Sequence, residues 1–159
     1  MFNRIVLILM ITGFIYAQDE QKVVLITGTA YGIGKSTAEL LIEKGHIVYG
    51  GDILVEENLY LNDIGGTALE MDVTNQEHID KAINQIISEQ GRVDVLVNNA
   101  GLGVYGAIED VSMEDIYYQY DVNLFGLARV TKAVLPYMRE EESGLIINIS
   151  SVLGETYGP

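Results

Sequence analysis

The sequence predicts an α/β fold built on a doubly wound parallel sheet. Three observations point there. A glycine cluster at positions 28, 32 and 34 separates a short apolar run from a helical pattern. Strand-like and helix-like segments then alternate from Lys22 onward. The first strand-like run is apolar throughout rather than alternating, as strands are when helices cover both faces of a sheet.

Taken in order, Val23, Val24, Leu25 and Ile26 make the first strand. Residues 37–44 have helical spacing and stop at Gly45. Residues 47–51 predict a second strand with Asp52 at its C-terminal end, and residues 67–71 a third, ending at Asp72. Thr74-Asn75-Gln76-Glu77 has the form of a capping box, with the hydroxyl and the carboxylate each satisfying a free N–H. The helix it opens carries Ile79, Ala82, Ile83, Ile86 and Ile87 on one face and stops at Gly91. Residues 93–97 predict a fourth strand. Ser112-x-x-Asp115 opens a long helix reaching about Glu140, kinked or ended near Pro136. Gly144 precedes a fifth strand over 145–149.

Composition narrows the function. Nine Lys and Arg stand against 23 Asp and Glu, a formal charge of −14. No basic patch exists to hold nucleic acid or an anionic membrane surface. The chain has no cysteine, so thiol chemistry and thiolate metal sites are excluded. His46 and His78 lie far apart, at strand ends or on the surface, and no metal is expected. Residues 1–21 stand outside the domain, which covers 22–159. A basic residue, Arg4, precedes an apolar run over 5–17, and a polar stretch follows, in the manner of a signal peptide. Ile15 stands where a small residue is usual before cleavage, and the run falls short of the ~20 residues of a membrane span. Export, membrane attachment and a true start at Met10 all remain open. The localisation expected is thus cytoplasmic, membrane-associated or exported.

The glycine cluster carries the chemistry. Gly28 allows a tight turn, Gly32 lets backbone approach a pyrophosphate, and Gly34 lets the helix pack closely. The helix N-terminus then faces the phosphates with free N–H groups and its positive dipole end. A P-loop nucleotide binder is an alternative, since Gly34-Lys35-Ser36 resembles the end of such a loop. That pattern needs a glycine at position 29, where Thr29 stands. Asp52 sits where an adenosine ribose is bound and can accept from its hydroxyls. No Lys or Arg adjoins it, and Tyr31 occupies the loop position where a basic residue would meet a 2′-phosphate. NAD is favoured over NADP.

The spacing Thr27-Gly28-x3-Gly32-x-Gly34 and the stretch Asn98-Asn99-Ala100-Gly101 together resemble the short-chain dehydrogenase/reductase family, along most of residues 22–159. The resemblance implies a Rossmann-type sheet, about five strands of it present here. It implies cofactor contacts from Thr27, Gly28, Tyr31, Gly32, Ile33, Gly34, Asn99, Ala100 and Gly101, and from Asp72 and Val73 at the adenine. It implies that Asn123, taken as a buried residue within the long helix, helps hold a water in a proton relay. Of the pair Ser150-Ser151, it gives Ser151 the hydrogen bond to the reacting oxygen. The family's Tyr-x-x-x-Lys does not follow Ser151 within these 159 residues; Tyr157 stands too close to Ser151, and no lysine follows Lys132. The expectation is the N-terminal part of a dehydrogenase, inactive by itself. Its whole form would be an NAD-dependent oxidoreductase, homo-oligomeric, acting on a secondary alcohol or ketone. Residues 125–129 are similar to members acting on retinoid- or steroid-type alcohols. A non-catalytic dinucleotide-binding module is the rival reading.

Overall fold

A computed structural model describes residues 20–151. Five parallel strands form one sheet in the order β3-β2-β1-β4-β5. β1 (Val23–Thr27) lies at its centre, fully buried, between β2 (Ile47–Asp52) and β4 (Val95–Asn98). β3 (Thr67–Glu70) flanks β2, and β5 (Leu145–Asn148) flanks β4. The chain winds outward from β1 through β2 to β3, then crosses back to start the other half at β4. That reversal opens a crevice at the C-terminal ends of β1 and β4.

The two faces of β1 feed two cores. Val23 and Leu25 pack with α4 (Gln76–Gln90) and α6 (Leu127–Glu140) through Ile79, Ile83, Ile86, Val130 and Val134. Val24 and Ile26 pack with Ala38 of α1 (Gly32–Glu43) and with Leu61. Leu61 belongs to α3 (Tyr60–Asp63), which follows the single turn α2 (Val55–Asn58). This burial on both sides is what the apolar β1 run implied. β5 is paired on one edge only; its Ile146 meets the first core, while Leu145 and Ile147 remain exposed.

Four local features depart from expectation. α1 begins at Gly32, inside the glycine cluster, rather than at Thr37. The cap of α4 is Asn75, whose Oδ1 accepts from the N–H groups of Glu77 (2.9 Å) and His78 (3.4 Å). Thr74 lies one residue before the cap, and its hydroxyl is turned to Asp72 Oδ1, to which it donates at 2.7 Å. The long helix does open at Ser112, whose Oγ accepts from Asp115 N–H at 3.0 Å. It passes through Pro136 and changes instead at a π-helical segment, Asp121–Gly126, between α5 (Met113–Tyr120) and α6. Asn123 lies on that segment and is exposed, not buried. Of the 1–21 leader only residues 20 and 21 are described. Gln21 is tied to the domain, donating through Nε2 to the Gly45 carbonyl at 2.7 Å.

Candidate functional site

The glycine turn is fixed by crowding and by hydrogen bonds. Gly28 has φ +74°, and a Cβ there would lie 2.8 Å from Ala100 Cα. A Cβ on Gly34 would collide with the Gly28 carbonyl oxygen, so the helix packs against the turn itself. A side chain on Gly32 would meet nothing within 4 Å, which leaves its backbone open to a ligand. The first helical bond runs from Lys35 N–H to the Tyr31 carbonyl, and no side chain caps α1. Its leading N–H groups are therefore available to an anion.

Across the crevice, the Asn98-Asn99-Ala100-Gly101 loop is laced to β1. Thr27, almost fully buried, accepts through Oγ1 from the N–H groups of Asn99 (3.1 Å) and Ala100 (2.9 Å). Asn99 Nδ2 donates back to the carbonyls of Thr27 (2.9 Å) and Gly28 (2.8 Å). Asn98 Nδ2 donates to Thr131 Oγ1 and to Asn148 Oδ1, which gives Asn148 a place behind the loop. The Asn98 Oδ1 atom is buried with no partner among the described residues.

Asp52 is 9% exposed and bridges two segments: Oδ2 accepts from Ala30 N–H (2.8 Å) and Oδ1 from Leu54 N–H (3.0 Å). Asp72 Oδ1 accepts from both the N–H and the hydroxyl of Thr74. Asn123 clamps the opposite wall, with Oδ1 accepting from Leu102 N–H (2.9 Å) and Nδ2 donating to the Leu102 carbonyl (2.8 Å). The partners of this amide are thus backbone groups, held where a π turn sets the helix out of register.

These groups surround one cleft of about 930 Å³. Gly28, Tyr31, Ile33, Asp52, Asp72, Val73, Asn99, Ala100, Gly101, Asn123 and Ser151 all line it. Thr27, Gly32 and Gly34 do not; they shape the turn from behind or from the α1 side. Tyr157 lies outside the described residues. Sequence reasoning missed the support under the turn: Thr29, Asn58 and Tyr60, where Tyr60 donates its hydroxyl to the Thr29 carbonyl at 3.0 Å. Burial, then the charges of Glu39 and Asp52, push the Tyr60 hydroxyl up to about 12. Asn58, next to Leu59 and ahead of Tyr60 and Leu61, was the available signal, and Asn62 four residues on carries the same residue type.

The open Gly32 backbone, the uncapped helix end and the carboxylate at the end of β2 fit a dinucleotide. Sheet order, crevice and turn define a dinucleotide-binding α/β protein. The short chain dehydrogenase family model matches residues 22–159. The chain belongs to the short-chain dehydrogenase family, whose members use nicotinamide cofactors.

It is 49% identical over 136 residues to a 3-ketodihydrosphingosine reductase of Bacteroides thetaiotaomicron, covering 85% of this chain and 49% of that one. With the 3-oxoacyl-[acyl-carrier-protein] reductase FabG of Thermotoga maritima it shares 39% identity, covering 85% and 57%. A solved short-chain dehydrogenase from Streptomyces avermitilis superposes with a TM-score of 0.79 at 37% identity, over 86% of this chain and 52% of that one. The chain thus spans about half the length of the curated relatives it matches.

Proposed function

We propose that the whole protein is an NAD(H)-dependent oxidoreductase acting on a secondary alcohol or its ketone. The observation that carries the choice of NAD is the charge of the cleft. Its described lining holds two carboxylates, Asp52 and Asp72, and no Lys or Arg. Lys35, on the first turn of α1, is held over the Tyr60 ring at 4.3 Å from its centroid and is not part of that lining. A phosphate charge about 4 Å from Asp52 would cost ~4 kcal/mol at an effective dielectric of 20, before solvent screening. Even ~1.4 kcal/mol remaining is a tenfold preference. Calorimetric titration of the whole protein with both cofactors tests this. Tighter NAD binding by tenfold or more is expected, and equal or tighter NADP binding overturns it.

The bound nicotinamide would supply or accept the hydride. The chain's own residues do the holding. The free N–H groups of α1 take the pyrophosphate, and Asp52 accepts from the ribose hydroxyls. Asp72 and Val73 flank the adenine, and Ala100 and Gly101 leave room for a flat ring. The Ser151 hydroxyl would hydrogen-bond the reacting oxygen. Asn123, fixed to Leu102, shapes the wall beside it and is the proposed partner of a relay water.

For the substrate we favour a hydrophobic ketone. Leu102, Val104, Tyr105 and Tyr118 extend the cleft with apolar surface. The two named relatives are reductases of 3-keto and 3-oxo compounds, which supports a keto group on a long chain over a retinoid or steroid. Following oxidation of reduced cofactor with a panel of long-chain 3-keto compounds and steroid ketones decides between them. Turnover confined to the steroids would overturn the preference.

A further inference from the structure

We propose that Asn58 and Tyr60 are positioning residues for the dinucleotide, acting through Thr29 to set the shape of the glycine turn. The proposal rests on the cofactor reading above. Thr29 and Asn58 are 0% and 1% exposed. Thr29 Oγ1 donates to Asn58 Oδ1 at 2.8 Å, and Asn58 Nδ2 donates to the Gly50 carbonyl at 2.8 Å. The amide therefore links the turn after β1 to the end of β2, where Asp52 stands. Tyr60 adds a second hold, its hydroxyl donating to the Thr29 carbonyl at 3.0 Å. One residue on, Ala30 N–H reaches Asp52 Oδ2 at 2.8 Å.

Thr29 is thus gripped at its side chain and its carbonyl, between Gly28 and Ala30, which both line the cleft. Neither Asn58 nor Tyr60 lines the cleft, so an effect on binding passes through the groups they hold: the turn at Thr29 and, for Asn58, the end of β2 as well. A fully buried amide costs stability unless it is partnered. Here both ends of the amide are partnered, with the two directions a carboxamide supplies: acceptor toward a hydroxyl, donor toward a carbonyl. Leucine would fill the space and lose both links.

The test measures NAD affinity by calorimetry, melting temperature, and hydrogen exchange at the Ala30 amide without ligand, all on the whole protein. Asn58→Leu and Tyr60→Phe should each weaken NAD binding by roughly tenfold, since losing a buried bond of this kind displaces the groups it held. Both should also speed exchange at Ala30. Tyr60→Phe keeps the ring and guards against a variant that fails to fold. The double variant Thr29→Val with Asn58→Leu replaces both partners of the hydroxyl–amide bond by apolar groups and leaves only the Gly50 carbonyl without its side-chain donor, so its melting temperature should recover in part while NAD affinity stays low. Recovery of affinity together with stability would reduce the network to packing and overturn the proposal. Unchanged affinity in both single variants, with wild type binding NAD, would overturn it alone. A wild type that binds no NAD would overturn it together with the cofactor reading.

Discussion

Thr27 shows what a single buried hydroxyl does at this site. It ends β1, accepts from two successive N–H groups of the Asn99-Ala100 loop, and so joins the two strands that flank the crevice. Thr27→Val keeps the shape but leaves both N–H groups without an acceptor. We expect a loss of about 1–3 kcal/mol in urea unfolding, while Thr27→Ser should lose less because it keeps the oxygen. Two tyrosines set the alkaline limit. Tyr49 is pushed up to about 12 by burial and by its 2.6 Å bond to Glu89, with Gln90 working in the opposite direction; Tyr60 is pushed to about 12 as well. Both groups are protonated in either state below pH 10, where their contribution is complete. Between about 10 and 12 the unfolded chain releases protons the folded chain keeps, so stability falls as pH rises. Urea midpoints at pH 9 and 11 should show the fall, and Tyr49→Phe should flatten it. At this scale the sequence was a partial guide. Asp52 could be placed because its meaning is set by strand end and turn. Asn58 could not, because its partners Thr29 and Gly50 are brought to it only by the folded sheet. Thr74 and Asn75 are both cap-forming residues, and Asp72, two residues away from Thr74, decided between them.

At the scale of elements, β1 was legible because burial on both faces writes an apolar run, and the ends of α1 and α4 because Gly45 and Gly91 mark them. The π segment was not. A π turn has no residue type of its own to announce it, whereas a proline does, so Pro136 looked like the irregular point. Proline there removes a single N–H bond within a helix held by Val130, Val134 and Met138, and the helix runs through it. The start of α1 was hidden for a related reason: Gly32 and Gly34 read as turn, yet they form its first turn. Gly34→Ala tests that packing directly. A methyl there meets the Gly28 carbonyl and the Asn99 amide, both fixed by other bonds. Overpacking of this kind costs about 1–3 kcal/mol. NAD binding should weaken by more than the stability loss alone would cause, because the turn itself must shift. Gly32→Ala, with open space at the same turn, should cost less packing but strain the φ of +60°. Similar Kd values for wild type and Gly34→Ala would show that the turn can shift without cost to the site.

The whole molecule places its ligand groups around the central strands and its unmatched surface at one edge. β1 is enclosed on every side, whereas among the described residues β5 pairs only with β4, and it exposes Leu145 and Ile147. Tyr117 and Tyr120 on α5, and Leu124 and Phe125 on the π segment, add further exposed apolar surface. An unpaired strand edge with apolar side chains is a template for another chain. The 159-residue chain, purified by itself, should therefore self-associate, with a sedimentation profile that shifts with concentration. Its leader does not change this argument: β1 begins at Val23, and deleting residues 1–19 should leave the melting temperature unchanged within error. Catalysis is a separate matter from assembly. Positioned acid–base groups contribute about 10²–10⁴-fold, and no Tyr-x-x-x-Lys follows Ser151 within residues 1–159 to act as one. Ser151 and Asn123 carry no proton-accepting group near neutral pH. The chain by itself should bind NAD yet leave the reduced-nicotinamide absorbance unchanged with any secondary alcohol, and the same assay on the whole protein should show turnover. Robust turnover by a monomeric 159-residue chain would mean that the proton acceptor lies within it, and Tyr157→Phe would then be the first variant to assay.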